Sequence, residues 1–186
     1  MSIVSMNSWP MSYAAEEEQF HHMMVRATQL GWCDVVTQYI SDGTFNVQLP
    51  AAGSMTLLHT AARCGQAAVM EILLQHGAPV DATYSGSFTP LHFAAEKSHV
   101  RCAALLLEHR ADIHATTSAG NMPLHYAACK NSDTKMCELL LERRADIDAP
   151  NGSGATALAM AVAVGQPNTV ALLLEYGSDR TLLDVR

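Results

Sequence analysis

The stretch Thr89-Pro90-Leu91-His92-Phe93-Ala94-Ala95 decides the fold, because variants of it recur along the chain. Thr56-Leu57-Leu58-His59-Thr60-Ala61-Ala62 precedes it and Met122-Pro123-Leu124-His125-Tyr126-Ala127-Ala128 follows it, both at the same interval. A degraded copy, Thr156-Ala157-Leu158-Ala159-Met160-Ala161-Val162, comes after an interval that is one residue longer. A fixed period of about 33 residues is typical of a solenoid, in which each repeat is one supersecondary unit.

A second marker is a triplet of three leucines, or of one isoleucine and two leucines, which recurs in phase with the first string. Both markers place one extra residue in the polar stretch 130–133, where a turn tolerates insertion. Gly31 and Gly43, spaced like Gly65 and Gly77, indicate an earlier degraded copy, so we count five repeats. The triplets are Ile72-Leu73-Leu74, Leu105-Leu106-Leu107, Leu139-Leu140-Leu141 and Leu172-Leu173-Leu174.

Each string predicts the start of a helix. Thr56, Thr89 and Thr156 can cap a helix through the hydroxyl, while Pro90 and Pro123 suit the first helical position, which needs no amide hydrogen. The alanine pairs let neighbouring helices approach closely, and the leucine triplets fill the space between repeats. Since neither helix of a repeat could bury its apolar face alone, the repeats must stack.

Glycine is predicted to end several of the second helices in a left-handed conformation. Gly43, Gly77 and Gly177 follow those helices, and the equivalent positions in the middle repeats are Arg110 and Arg144. We therefore expect left-handed backbone at both arginines.

The T-P-L-H string at this period resembles the ankyrin repeat over roughly residues 17–184. The resemblance implies an all-α ankyrin-repeat solenoid of stacked helix-turn-helix units joined by β-turn or hairpin loops. We predict a flexible leader over residues 1–16 and an ankyrin-repeat domain over residues 17–186. The five repeats, numbered in chain order, are predicted at about 17–50, 51–83, 84–116, 117–150 and 151–183.

Composition excludes several classes of function. A net charge of −7 with only 11 Lys and Arg residues disfavours nucleic acid as a partner. The longest apolar run, 157–164, is too short to cross a bilayer, and residues 1–18 lack the features of a secretory signal. Five scattered cysteines form no disulfide or zinc pattern, so we expect a cytoplasmic protein, with the nucleus as the open alternative.

We expect neither a metal nor a cofactor. The histidines of the repeated string lie on helices about 8–10 Å apart, whereas zinc–nitrogen bonds are about 2.1 Å, so a structural bond back to the helix-start loop is favoured. Gly152-Ser153-Gly154-Ala155-Thr156-Ala157 fits the dinucleotide fingerprint formally, but no strand-helix-strand unit surrounds it, and a turn is favoured.

The cysteines leave an enzyme open as the least favoured alternative. Cys102 and Cys137 are interpreted as core residues, whereas Cys64 and Cys129 follow alanine pairs and are expected to be exposed. A thiol-dependent enzyme would use one of the latter, but no base or orienting group is evident.

The resemblance implies a partner-binding surface made of loop tips and of the inner-helix positions after each alanine pair. The predicted tips are Met55, Phe88, Asn121 and Ala155, with Tyr84 and Ser118 nearby, and Phe88 is the chosen anchor. Three of the four inner-helix charges are positive, which favours an acidic or mixed partner. We call the inner-helix positions the inner strip: Arg63, Cys64, Glu96, Lys97, Cys129, Lys130, Ala163 and Val164.

The leading functional hypothesis is a monomeric adaptor or scaffold that binds another protein through this surface. The alternative is an inhibitor that occludes a partner enzyme such as a kinase, since size and repeat number resemble those of the small ankyrin inhibitors of cyclin-dependent kinases. A third possibility is the recognition arm of a larger protein.

Overall fold

The structure is a computed structural model that describes residues 13–43, 46–47, 55–130 and 133–183. In these residues the chain forms ten α-helices followed by a short 3-10 turn, Arg180–Leu183. The helices are α1 (Tyr13–Leu30), α2 (Cys33–Ser41), α3 (Leu57–Cys64), α4 (Ala67–Gln75), α5 (Pro90–Glu96), α6 (Val100–Glu108), α7 (Pro123–Lys130), α8 (Lys135–Glu142), α9 (Ala157–Val164) and α10 (Pro167–Glu175).

The helices stack in two layers, as the repeat requires. The inner layer is α1, α3, α5, α7 and α9, in which each helix contacts the next. The outer layer contains α2, α4, α6 and α8, again in contact in that order, and α10 packs on α9. Each inner helix also contacts the outer helix that follows it in sequence. The predicted all-α solenoid of helix-turn-helix units is confirmed.

The core lies between the two layers and between successive repeats. The central leucine of each triplet, namely Leu73, Leu106, Leu140 and Leu173, is fully buried. The alanine pairs of the inner helices are buried too, which allows helices α3, α5 and α7 to pack side by side. Because every repeat covers its neighbour, the core continues along the stack without a break.

Threonines begin the inner helices in two ways. The hydroxyl oxygen of Thr56 accepts a hydrogen bond from the His59 amide at 3.3 Å, and that of Thr156 accepts one from the Ala159 amide at 3.2 Å. At Thr89 the backbone amide donates to Nδ1 of His92, at 3.1 Å, as one half of a capping box. Both arrangements satisfy amides that a helix start leaves without intrahelical partners.

The ends of the outer helices confirm the expectation of left-handed backbone. Arg110 has φ of 66° and Arg144 has φ of 67°, compared with 79° at Gly77. Two arginines therefore adopt a conformation that favours glycine, and a side chain there costs about 1–2 kcal/mol.

The N-terminal boundary differs from the prediction. Helix α1 begins at Tyr13, so residues 13–16, which were assigned to the leader, belong to the first inner helix. The remaining leader residues, 1–12, lie outside the described residues. Residues 131 and 132, which belong to the stretch 130–133 that is predicted to hold the extra residue, also lie outside them. That insertion falls between α7 and α8.

Candidate functional site

The loops that precede the inner helices are linked to one another by backbone hydrogen bonds. Tyr84 and Phe88 exchange two such bonds, of 2.8 and 2.9 Å, and so close a small hairpin. The amide of Ser118 donates to the Gly86 carbonyl at 2.8 Å, and that of Gly152 donates to the Ala119 carbonyl at 3.0 Å. The loops of the third, fourth and fifth repeats therefore form one connected row.

The glycine-rich segment of the fifth repeat is a closed turn. The Gly154 amide donates to the Asn151 carbonyl at 2.9 Å, and the Asn151 amide donates to the Ala155 carbonyl at 2.9 Å. Since the Gly152 amide is also bonded, to Ala119, these groups are engaged within the protein and do not form a phosphate cradle. The turn interpretation is confirmed.

The histidines of the repeated string connect adjacent repeats. Nε2 of His59 lies 3.0 Å from the Phe88 carbonyl oxygen, that of His92 lies 3.1 Å from the Asn121 carbonyl oxygen, and that of His125 lies 3.2 Å from the Ala155 carbonyl oxygen. A carbonyl only accepts, so Nε2 carries the proton and Nδ1 accepts from the helix-start loop. The predicted structural role is confirmed, and both ring nitrogens are occupied.

Burial keeps these three rings neutral. All three are almost fully buried, and desolvation lowers the pKa of His59, of His125 and of His92, the last to about 4. For His92 the hydrogen bond to the Asn121 carbonyl acts in the opposite direction but is the weaker cause. A neutral ring is what the bonding pattern needs, since protonated Nδ1 could no longer accept.

The structure contradicts the expected exposure of Phe88. Its ring is half-buried, with its centroid 5.8 Å from that of His92, 5.4 Å from that of Phe93 and 5.3 Å from that of Tyr126 in the next repeat. The ring therefore packs against the neighbouring repeat, which was the alternative left open. Sequence could not show this, because the covering ring belongs to another repeat and is distant along the chain.

The other predicted tip residues also lie at the base of their loops. Met55, Asn121 and Ala155 are half-buried, because each comes directly before a helix start, and the nearby Tyr84 is half-buried in the hairpin that it forms with Phe88. The side-chain oxygen Oδ1 of Asn121 accepts a hydrogen bond from the side-chain nitrogen Nδ2 of Asn151 at 2.8 Å, which ties two loops together. Of the predicted set Ser118 alone is exposed, and the exposed tips are Ser85, Gly86, Ser87, Ser118, Ala119, Gly152, Ser153 and Gly154.

The charged residues of the inner strip are placed as predicted, with one exception. Arg63, Lys97 and Lys130 are exposed, but Glu96 is half-buried. A carboxylate oxygen of Glu96 lies 3.3 Å from Nζ of Lys97 and 3.7 Å from Nζ of Lys130. This carboxylate therefore links the third and fourth repeats. The cross-repeat pair was not predicted, because sequence separation hides it.

Two aromatic rings lie one helical turn before the lysines, and the sequence prediction missed them. Phe93 precedes Lys97 by four residues at the end of α5, and Tyr126 precedes Lys130 by four residues on α7. Residues four apart share a face of a helix, so each ring lies on the same helix face as a lysine. Both rings are half-buried. The i, i+4 spacing was the available signal.

A comparison with known protein families supports the same architecture. The family profile "Ankyrin repeats (3 copies)" matches residues 22–117 and 111–184, most of the chain. The chain belongs to the ankyrin-repeat family. A search of curated proteins finds no match. Ankyrin repeats are generally protein–protein interaction modules and are typically not enzymes.

Three cysteines of this ankyrin-repeat protein, Cys102, Cys129 and Cys137, do not resemble activated nucleophiles. Cys102 and Cys137 are buried, as predicted, and desolvation raises the pKa of their thiols to about 11 and about 12. Cys64 and Cys129 are half-buried, not exposed as expected. Burial also raises the pKa of Cys129, the opposite of what a reactive thiolate requires.

Metal binding and membrane spanning are two further roles that the described residues could have. In residues 13–43, 46–47, 55–130 and 133–183, no group of three or more His, Cys, Asp or Glu side chains is placed to hold a metal ion. Over the same ranges, no helix has both the length and the apolar character needed to span a membrane.

Proposed function

We propose that this ankyrin-repeat chain is a cytoplasmic, monomeric adaptor that binds another protein through its inner strip and exposed loop tips. It performs no chemistry of its own. The observation that carries the proposal is the uncovered face of α3, α5 and α7. Arg63, Lys97 and Lys130 are exposed there in three successive repeats, with two half-buried rings beside them.

Rigidity favours binding by this face. The connected loops and the inter-repeat histidine bonds hold the backbone around the inner strip in one arrangement. A partner that docks on a preorganised surface loses less conformational entropy than one that orders flexible loops. Large rings on a fixed backbone are the residues that carry most interface energy.

An adaptor needs a second face, and the outer helices offer one of different chemistry. Glu71, Glu108 and Glu142 are exposed on α4, α6 and α8. An inhibitor that occludes a partner such as a kinase would need the inner strip alone. The two functions therefore differ in whether two partners are held at once.

The test is affinity capture from native cell extract with three versions of the chain. The first is wild type and the second carries Arg63→Glu, Lys97→Glu and Lys130→Glu. The third, a matched control, carries Arg101→Glu, Lys135→Glu and Arg143→Glu, which reverse exposed cations on or next to the outer helices α6 and α8. Both variants change the net charge equally, so any difference between them reports position.

The expected result is a protein captured by wild type and by the control but lost from the inner-strip variant. Retention of every captured protein by the inner-strip variant would contradict the proposal. Purified partners then separate the two functions: an adaptor forms a ternary complex in size-exclusion chromatography, whereas an inhibitor forms only a binary one and suppresses its partner's activity.

A further inference from the structure

The inner strip carries a two-by-two arrangement of rings and ammonium groups. Phe93 and Lys97 share one face at the end of α5, and Tyr126 and Lys130 share the equivalent face of α7. Because α5 and α7 pack against each other, the two pairs lie side by side. The two rings form one row, with the ring of Phe88 packed against both at centroid distances of 5.4 and 5.3 Å. The two lysines form a second row, one helical turn away.

The spacing of the two rows suits an extended chain that crosses the helices. Nζ of Lys97 and Nζ of Lys130 lie 3.3 and 3.7 Å from the same carboxylate oxygen of Glu96, so the two charges are at most about 7 Å apart. An extended β-type chain returns to the same face every two residues and rises about 3.3 Å per residue, which gives about 6.6 Å. Side chains two residues apart on such a chain would meet successive lysines.

Glu96 determines which charges are favoured between the lysines. Its carboxylate lies near both ammonium groups, at 3.3 and 3.7 Å, and repels a second carboxylate at the midpoint. Each ammonium has three donors, so both lysines keep donors for a ligand after pairing with Glu96. The acceptors of a ligand therefore belong on either side of Glu96, not above it.

Continuous polyanions fit this surface less well than a protein segment does. A nucleic acid strand would bring phosphates past Glu96 and toward a chain whose net charge is −7. A peptide can place acidic groups at two points, next to the lysines, and an apolar side chain beside them, over Phe93 and Tyr126.

We infer that the inner strip of the third and fourth repeats binds an extended protein segment with two acidic residues two positions apart and a large apolar residue beside them. The acidic side chains pair with Lys97 and Lys130, and the apolar side chain packs on the rings of Phe93 and Tyr126. This inference rests on the proposed function, because it specifies the partner of the same surface.

The experiment selects binders from a displayed library of random peptides of about 12 residues, long enough to cross four repeats when extended. The expected result is enrichment of Asp or Glu at positions i and i+2, together with Leu, Phe, Trp or Tyr. Binding of the most enriched peptide, measured by fluorescence anisotropy, should weaken as salt rises above about 0.15 M. Enrichment of basic or uncharged peptides, or of none, would overturn the inference.

Three variants make the test specific. The Lys97→Glu, Lys130→Glu double variant should weaken the enriched peptide at least about tenfold, while Lys135→Glu, the control on α8, should leave Kd unchanged. Glu96→Gln should tighten binding by about two- to fivefold, because it removes the competing carboxylate. If Glu96 had only a structural role, the Glu96→Gln replacement would not tighten binding. An affinity that is unchanged or weaker in this variant therefore counts against the inference.

The outcomes separate this inference from the proposed function. Enriched peptides that lack acidic residues but lose affinity in the double variant would overturn the partner chemistry and leave the inner strip as the binding face. Enriched peptides that bind the double variant as tightly as wild type would contradict both. A labelled oligothymidylate that binds more tightly than the enriched peptide would also overturn the inference, in favour of a nucleic acid ligand.

Discussion

Nε2 of His92 donates to the carbonyl oxygen of Asn121 in the next repeat, across 3.1 Å. The same ring accepts the Thr89 amide of its own repeat at Nδ1. One buried side chain thus fixes the start of its own helix and the loop of its neighbour. Equivalent bonds at His59 and His125 repeat this coupling along the stack, so the histidines contribute to the interface terms that hold a solenoid together.

Replacing His92 with alanine should destabilise the protein strongly. The change leaves the Asn121 carbonyl and the Thr89 amide without their partners, at about 1–3 kcal/mol for each buried group. His109→Ala is the matched control, because His109 is exposed and bonds to the Leu105 carbonyl of its own helix. Urea unfolding should show a clear loss for His92→Ala and a loss below about 1 kcal/mol for the control. Equal losses would contradict the inter-repeat role.

Stability should fall as the solution is acidified below the ordinary pKa of histidine. In the fold, the pKa of His92 is lowered from 6.5 to about 4 by burial, so the unfolded chain binds a proton first. The contribution of His92 to the free energy of unfolding is therefore fully present above pH 6.5. It falls by about 3 kcal/mol as the pH is lowered towards 4. Urea midpoints measured across this range should fall, and His92→Gln should reduce the slope. A slope unchanged by His92→Gln would rule out His92 as its source.

Glycine at Arg110 or Arg144 should raise the melting temperature. Both arginines have positive φ, which costs a side chain about 1–2 kcal/mol. For a chain of this size about 1 kcal/mol corresponds to about 2–4 °C. Arg143→Gly is the control, with the same charge change at φ of −89°. Calorimetry should show a gain for Arg110→Gly and Arg144→Gly and none for Arg143→Gly. A melting temperature that falls or stays constant at both test positions would contradict the strain argument.

Alanine at Gly120 should disrupt the row of loops. Gly120 has φ of 74°, and a Cβ there would lie 2.4 Å from the Gly152 amide nitrogen. Gly165 has the same φ of 74° but no atom within 4 Å of such a Cβ, so Gly165→Ala isolates the cost of the backbone conformation. Chemical unfolding should show a larger loss for Gly120→Ala, by about 1–3 kcal/mol from overpacking. Similar losses for the two variants would mean that the loops can separate without cost.

The fold could be predicted from the sequence because its determinants are local and repeated. The Thr89–Ala95 string and the leucine triplets recur in phase, and a helix start, a close helix contact and a core position follow from each. The left-handed backbone at Arg110 and Arg144 was predictable for the same reason, since glycine occupies the equivalent positions of other repeats. The beginning of α1 at Tyr13 was not, because the first repeat lacks the string.

The candidate site was predictable only where exposure depends on helix phase. Arg63, Lys97 and Lys130 are exposed because each follows a buried alanine pair on the same helix. Phe88 and Glu96 are half-buried because groups from the next repeat, Tyr126 and Lys130, lie against them. Contacts of that kind depend on how two repeats are stacked, which periodicity alone does not specify.

The chain's three lysines allow a direct test of the claim that the inner strip binds a protein, because Lys97 and Lys130 belong to the strip and Lys135 lies on α8. All three are exposed, so acetylation followed by mass spectrometry can report each one with and without the captured partner. The account predicts that the partner slows acetylation of Lys97 and Lys130 and leaves Lys135 unchanged. Protection of Lys135 alone, or of none of the three, would contradict it.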